Sequence, residues 1–364
     1  MLGITLWGRG ILDQLDNIDV SERIGAPDEW RYGAARKSVS ISRVFLWLCV
    51  CASIVCLLDF YPRSFMQTLL IASAVFVMGM AALRVLACLL PLQKTKAHIR
   101  FAVYPRYTVL VPLYREAHMV EALCGHLRAI DYPADRLDII LITEADDVQT
   151  TQAARAFAGA QIRVHAVPPS LPRTKPKAMN HALAAMPVDE IGGIITIYDA
   201  EDRPHPGQLK QAAQSFAANP ELAAVQAPLR IDNIRASMLS AMFALEYAAL
   251  FYVWNPAMAR LGLPFPLGGT SNHIRKSALL AAGGWDANNV TEDADLAFRI
   301  SALTPTTKLG CISRPTGEEA VATLKDWHNQ RARWLKGFMQ TWRVHMRRKT
   351  AAPNGGRVHA KAKA

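Results

Sequence analysis

The sequence predicts an α/β protein whose mainly parallel sheet carries helices on both faces, preceded by a two-helix transmembrane hairpin. Three observations carry this expectation. Residues 44–58 and 65–83 contain no charged side chain. From residue 107 onward, short β-rich runs alternate with helical stretches, the pattern of a parallel sheet. Acidic residues follow the second and fourth of those runs, where the chemistry of such sheets is housed.

The hairpin comes first. Hydrophobic residues make up 51% of 364 and charged residues only 20%, with a mean hydropathy of +0.10, too little charge to coat a purely water-soluble surface. Each apolar run approaches the ~20 residues that cross a bilayer, and Asp59-Phe60-Tyr61-Pro62-Arg63 suits an interfacial turn between them. A buried helical pair is the alternative. A cleavable signal peptide is disfavoured, because the first apolar run begins beyond the usual ~15 to 30 residues. Arg36, Lys37 and Arg43 precede the first span and Lys94, Lys96 and Arg100 follow the second, whereas the turn holds only Arg63. The positive-inside bias therefore places both ends in the cytoplasm. Residues 1–40, rich in Asp and Glu, read as a cytosolic arm, and residues 41–92 as the two spans.

Next comes the sheet. Tyr107-Thr108-Val109-Leu110-Val111 is the first strand, residues 120–130 a helix, and residues 137–142 a second strand apolar enough for burial on both faces. Residues 161–167, 177–186, 193–198 and 206–218 continue the alternation as strand, helix, strand and helix. Glu144, Asp146 and Asp147 follow the second strand, and Asp199-Ala200-Glu201-Asp202 follows the fourth. Carboxylates gathered at a sheet mouth repel unless a cation holds them, and hard oxygen ligands suit Mg²⁺ or Mn²⁺ bridging to phosphate. Polar turns are the competing account of both clusters. The six cysteines show neither metal-knuckle nor disulfide spacing, so reduced thiols are expected.

Four motifs in order give the chain a resemblance to the membrane-bound family 2 glycosyltransferases, the group of cellulose, chitin and hyaluronan synthases. Thr108-Val109-Leu110-Val111-Pro112 leads to Tyr114-Arg115-Glu116, like the family's opening Pro-x-Tyr-Asn-Glu with Arg115 in place of Asn. Asp199-Ala200-Glu201 resembles the Asp-x-Asp metal motif, Thr291-Glu292-Asp293 the Thr-Glu-Asp motif, and Gln330-Arg331-Ala332-Arg333-Trp334 the Gln-x-x-Arg-Trp motif of processive members. The resemblance spans roughly residues 108–341. It implies a GT-A-like nucleotide-diphospho-sugar transferase fold, with Glu144 against the uracil or ribose. It also implies a Lys-containing nucleotide segment in residues 173–180, where Lys177 and Asn180 match best and Lys175 reads equally well as a solvated loop charge. Asp199 and Glu201 are the expected metal ligands, with Asp202 a competitor for the second place.

Sugar transfer from a nucleotide diphosphate needs a neutralised leaving group and an acceptor hydroxyl made nucleophilic. Asp293 is the candidate general base, inverting the anomeric carbon by attack opposite the diphosphate; an acid in the first turn of a helix is the bland account. The glycine-rich run Gly268-Gly269-Thr270-Ser271-Asn272 and the turn Gly283-Gly284-Trp285-Asp286 precede it. Arg333 is expected on the diphosphate, and Gln330, Arg331, Trp334 and Glu292 on acceptor or diphosphate. The segment 321–345 reads as an amphipathic helix bearing the Gln-x-x-Arg-Trp motif, with a basic helix lying on anionic lipid as the alternative. Residues 236–261, nearly lacking a polar face, suit the same membrane surface.

The transferase domain thus spans residues 105–320. Residues 346–364 read as a disordered basic tail drawn to anionic lipid. Processive relatives continue into further spans, so partner subunits, self-assembly completing a channel, a product not exported by this chain, and a shortened chain all stand as expectations. The resulting expectation is a multi-pass protein of a bacterial-type inner membrane with its N-terminus and catalytic domain cytosolic. It takes a UDP-sugar and Mg²⁺ or Mn²⁺, and extends a β-linked glycan. A single-addition enzyme using a glycolipid acceptor and an inactive membrane scaffold are the alternatives. Nucleic acid is not an expected partner, because the basic residues are dispersed and the tail lacks interleaved aromatics.

Overall fold

The computed structural model describes residues 48–49, 52–53, 56, 62–89, 101–186 and 193–350, with backbone alone at 62 and 347–350. The expected arm and the tail beyond residue 350 lie outside the described residues, as does most of the first expected span. The second span is a helix, α1 (Pro62–Leu89), whose stretch Arg63–Leu89 is long and apolar enough to cross a membrane and is not buried in the protein. At 27 residues it is about 40 Å long. It meets the domain at the 249–254 segment and at residues 255–260, where Ala87 joins a core cluster with Ala257 and Met258.

The chain then alternates as its sequence rhythm requires: β1 (Tyr107–Leu113), α2 (Val120–Arg128), β2 (Leu137–Glu144), α3 (Val148–Ala156), β3 (Ile162–Val167), α4 (Lys175–Ala184) and β4 (Ile194–Ile197). β5 (Arg203–Pro204), α5 (Gln208–Ala218), β6 (Leu222–Gln226) and β7 (Leu229–Ile231) follow. Next come α6 (Met238–Ala248), a π-helical turn (Ala249–Trp254) and α7 (Asn255–Arg260). The chain closes with β8 (Asn272–Arg275), α8 (Lys276–Ala281), α9 (Glu292–Ser301), β9 (Lys308–Cys311), β10 (Thr316–Glu318) and α10 (Leu324–Thr350). The last helix runs five residues past the expected boundary at 345, through the first basic residues of the expected tail.

Among the described residues the main sheet has seven strands in the order β3-β2-β1-β4-β8-β6-β9. Neighbours are parallel except β8, which runs antiparallel to both β4 and β6. Period-two alternation sends Val109, Val111, Ile139 and Leu141 into one core layer and Leu110, Ile140 and Ile142 into the other. Helices cover both layers. On one side α2 buries Val120, Leu123, Cys124 and Leu127, and α5 buries Leu209, Ala212, Ala213 and Phe216, each at i, i+3, i+4, i+7. On the other, Met179 and Leu183 of α4 and Leu296 and Ile300 of α9 pack with the deeply buried Trp285. Each large side chain so buried contributes roughly 1.5–3 kcal/mol.

A small second sheet, β5-β10-β7, closes over the loop that follows β4. Arg203 pairs in register with Gly317, which places Glu318 beside the acidic cluster at residues 199–202. Where the sequence suggested an interfacial or packed stretch at 236–261, the chain forms α6, the π turn and α7. These bury Phe243, Phe251, Ala257 and Met258 while leaving Met238, Met242 and Leu245 exposed.

Candidate active site

β4 delivers the acidic loop. Tyr198 is buried and donates to Gln208 Oε1 at 2.6 Å, anchoring the strand end on α5. Asp202 then turns inward, accepting from the Asp199 amide at 2.8 Å and from the Thr270 hydroxyl. It is fully buried and does not line the cavity, whereas Asp199 and Glu201 do; Asp202 braces their loop. That space is a cavity of about 820 Å³ at the carboxyl ends of β1, β2 and β4, within the range of small-molecule sites.

Lys175 crosses it from the first turn of α4. Its Nζ donates to Asp199 Oδ1 and, at 2.9 Å, to the Gly269 carbonyl. Burial alone would depress this ammonium, but Asp199, Glu292 and Asp202 outweigh burial and hold it protonated well above the ordinary lysine value. Of the two lysines of this segment, Lys175 lines the cavity, whereas the sequence match favours Lys177. Lys177 is buried and does not line the cavity; its Nζ donates to both oxygens of Glu144, at 3.0 and 3.1 Å. Glu144 does line the cavity, but its carboxylate is occupied. Asn180 serves the backbone, donating to the Trp285 carbonyl at 2.6 Å and accepting from its amide at 3.0 Å. That clamp holds the turn in which Gly283 and Gly284 take φ of 82° and 68°, a region side chains resist.

The turn feeds α9, whose first residues are Glu292 and Asp293. Both line the cavity. Burial raises Glu292, and the adjacent Asp293 adds repulsion; burial also raises Asp293, against bonds from backbone amides and the nearby Lys175. Glu318 lines the same cavity, although nothing in its local sequence singles it out. It is pushed up to about 8 by burial, then by Asp199 and Glu201, with Tyr247 donating a hydrogen bond. Glu116, from the opening motif, is raised chiefly by burial, with Glu201 and Asp199 adding repulsion. Sequence alone could have found Glu116 by its place after β1, whereas Glu318 and Tyr247 arrive by tertiary contact.

α10 completes the lining with Gln330, Arg333 and Trp334. The Gln330 amide oxygen is buried with no partner among the described residues. Arg331 is a different case. It is absent from the lining; its guanidinium pairs twice with Glu246 of α6, once at 2.7 Å, and lies over Trp334, Phe243 and Trp327 at 4.7, 5.1 and 5.7 Å. Arg331 is thus placed along the α6 face and not among the residues that line the cavity. What it does is hold Trp334 in place. α10 sits close on α9 because position 337 is glycine: a Cβ there would lie 2.5 Å from Thr291 Cγ2 and 2.7 Å from the Thr291 amide. His345 to Asp295 at 2.9 Å and Asn289 to Thr341 at 2.9 Å fix the same pair of segments.

The residues present fit a divalent ion. Asp199 and Glu201 offer hard oxygens into a cavity already overloaded with carboxylate. Among the described residues no three His, Cys, Asp or Glu side chains form a ready cation site. Two protein carboxylates with the remaining positions open is the arrangement that suits a Mg²⁺ or Mn²⁺ arriving with substrate phosphates.

A mainly parallel sheet with acids at its mouth, a half-buried lysine among them and an arginine and tryptophan on the last helix fits an α/β nucleotide-sugar transferase domain. Residues 105–337 match the model of the glycosyltransferase-like family 2, and the chain belongs to that family. It is 24% identical over 236 residues to the probable glycosyltransferase YdaM of Bacillus subtilis, covering 64% of this chain and 55% of that one. To the beta-monoglucosyldiacylglycerol synthase of Synechocystis it is 26% identical over 250 residues, 66% and 50% of the two chains. A probable glucomannan 4-beta-mannosyltransferase of Arabidopsis thaliana is 26% identical over 205 residues, 55% and 38%. The chain thus spans about half or less of the length of these relatives. Among solved structures, the mannosyltransferase PcManGT of Pyrobaculum calidifontis, in complex with GDP-Man and Mn²⁺, shares the fold at a TM-score of 0.60 and 21% identity, over 79% of this chain and 75% of that one.

Proposed function

We propose that this chain is an inverting hexosyltransferase that moves a sugar from a nucleoside-diphosphate donor, UDP by the resemblance, to a hydroxyl of a glycan or glycolipid at the cytosolic membrane face. The observation that carries the reading is convergence: Asp199 with Glu201, Lys175, Asp293, and Gln330 with Arg333 and Trp334 come from separate segments of the chain and line one cavity. Relatives named mannosyl- and glucosyltransferases support a hexose donor.

In this reading the nucleotide lies over the ends of β1 and β2, near Glu144, and the diphosphate lies between Asp199 and Arg333. A Mg²⁺ or Mn²⁺ held by Asp199 and Glu201 would supply Lewis-acid neutralisation of the leaving diphosphate. Arg333, which makes no ion pair among the described residues, binds diphosphate oxygens in its planar fork. Asp293 takes the proton of the acceptor hydroxyl as that oxygen bonds to the anomeric carbon. The bond from that carbon to the diphosphate breaks with its electron pair, and the nucleoside diphosphate leaves. A burial-raised carboxylate is the better base for this step, because its proton affinity lies closer to that of the solvent's working pH. Trp334 provides a flat face for the acceptor sugar, and the buried Gln330 oxygen accepts from an acceptor hydroxyl.

A lipid-bearing acceptor has its own support. Leu250, Phe251, Leu267 and Phe338 give the cavity lining apolar surface, and α1, the candidate span, meets the domain at α7. The test is Asp293→Asn in the full chain, supplied with a panel of nucleotide sugars. Transfer should fall by about 10²–10⁴-fold with nucleotide affinity retained; full activity would refute the mechanism. A product ladder supports glycan extension, a single glycolipid the second reading, and the inactive scaffold predicts no metal-dependent nucleotide binding.

A further inference from the structure

We propose that Arg331 and Glu246 form a positioning clasp for Trp334: the guanidinium, held by the α6 carboxylate, lies on the indole and fixes it where the acceptor sugar arrives. The proposal rests on the acceptor reading of Trp334 above and gives a role to two residues which that reading leaves out.

Helical spacing makes the contact. Trp327, Arg331 and Trp334 stand at i, i+4 and i+7 and share one face of α10, while Phe243, Glu246 and Tyr247 share the facing side of α6. Between the two helices Arg331 gives both terminal nitrogens to Glu246, Nη1 to Oε1 at 2.7 Å and Nη2 to Oε2. A two-point pair fixes the orientation of the guanidinium as well as its position. Its central carbon then lies 4.7 Å from the centroid of the Trp334 ring, 5.1 Å from that of Phe243 and 5.7 Å from that of Trp327, within reach of cation–π attraction to all three.

With Glu246 half exposed and Arg331 a quarter exposed, the ion pair adds little to folding stability. Its effect is on direction. Trp334 is half-buried, with Phe243 at 6.0 Å between ring centroids, and it lines the cavity together with Glu246 and Tyr247. A ring held at one angle binds a sugar without first having to be ordered, whereas a ring free to turn loses affinity to that ordering. The two arginines of the Gln-x-x-Arg-Trp segment thus divide the work: Arg333 lines the cavity, and Arg331 acts on it through the indole.

The full chain labelled with 5-fluorotryptophan, in a detergent without sugar groups, tests this by fluorine NMR. Trp334→Leu assigns the Trp334 resonance, and Trp285, in the core layer beneath α4 and α9, is the internal reference. Arg331→Met and Glu246→Gln should both shift and broaden the Trp334 signal and leave Trp285 unmoved. Arg331→Lys keeps the charge without the planar fork and should restore the signal in part. Transfer is then measured to octyl β-glucoside, from whichever of UDP-glucose and GDP-mannose the parent uses. Arg331→Met should raise acceptor KM about tenfold, the scale of one cation–π contact in a partly desolvated site, with donor KM and Tm close to the parent's. In a Trp334→Leu background the same substitution should change acceptor KM by less than about twofold, because the clasp then has no indole to hold. A merely structural role predicts instead that donor KM and Tm change in both backgrounds. An unmoved Trp334 signal in Arg331→Met, or an equal effect of that substitution with and without Trp334, overturns the proposal. If Trp334→Leu leaves acceptor KM unchanged, the acceptor reading of Trp334 fails separately. The fluorine signal still decides in that case, and for a parent that does not use this probe, whether Arg331 holds the ring.

Discussion

Replacing Gly337 with alanine should damage catalysis more than it damages the fold. The added methyl would lie 2.5 Å from Thr291 Cγ2, 2.6 Å from its hydroxyl and 2.7 Å from its backbone nitrogen. Ordinary carbon contacts begin near 3.5 Å, so α10 must retreat from the start of α9 by about 1 Å. Rotating Thr291 relieves the first two contacts and leaves the third, because a backbone atom cannot turn away. Overpacking of this kind costs roughly 1–3 kcal/mol, about 2–4 °C in melting temperature per kcal/mol for a domain of this size. The same retreat carries Gln330, Arg333 and Trp334 away from Asp293, and a misplacement of ~1 Å can cost about 10²-fold in rate. The assay is steady-state transfer, with kcat and donor KM separated, alongside thermal unfolding and UDP titration. We expect a large fall in kcat, a modest fall in Tm and weaker UDP binding, because Arg333 moves with the helix. Lys336→Ala, at an exposed neighbouring position, controls for the helix itself. Wild-type kcat in Gly337→Ala would refute the argument that α10 is seated by this contact.

Two further outcomes follow from the electrostatics. Lys177→Met leaves Glu144 buried without its ammonium, both side chains being under a tenth exposed, and should destabilise the domain by about 3–5 kcal/mol in chemical denaturation. The double variant Lys177→Met with Glu144→Gln should recover much of that loss, and failure to recover it would deny the pair. Glu318 is raised from 4.5 to about 8, so between those values the folded chain holds a proton that the unfolded chain has released. Stability therefore falls as pH rises through that window. Glu318→Gln, measured without divalent ions, should raise Tm near pH 8 and leave it unchanged near pH 4; an equal effect at both would show that the carboxylate is not repelled.

The strand and helix rhythm was legible because each element carries its own period, and burial on both faces of β2 showed in its unbroken apolar run. The acids at the mouth of the sheet were legible for the same reason: they follow strands directly. What the sequence withheld was side-chain direction. Asp202 and Glu201 are neighbours, yet one braces the loop and the other faces the cavity, and only the position of Thr270, 68 residues away, decides it. Lys175 and Lys177 differ likewise by which side of α4 they leave from. Arg331 sits inside a motif that points to the substrate, but α6 brings Glu246 within reach and the guanidinium goes there instead. Glu318 lies in a three-residue strand whose place is set by pairing with Arg203 and Leu229 partners across the small sheet, an arrangement with no local trace.

The antiparallel β8, wedged between β4 and β6, divides the order in which the protein can assemble. β1, β2 and β3 pair across 23 to 30 residues, so this part of the sheet can form from local contacts while the rest of the chain is still unstructured, whereas β4 reaches β1 across 87 residues. β6 and β9 join it only after β8 has returned across some 75 residues to lie beside β4. Loop closure of that length is slow relative to local pairing, so the segment carrying the nucleotide end of the cavity should be structured first during refolding. The segment bearing Asp293 would then be delivered last, by the closing of the sheet, which makes the complete cavity a product of the final folding step and not of either half alone.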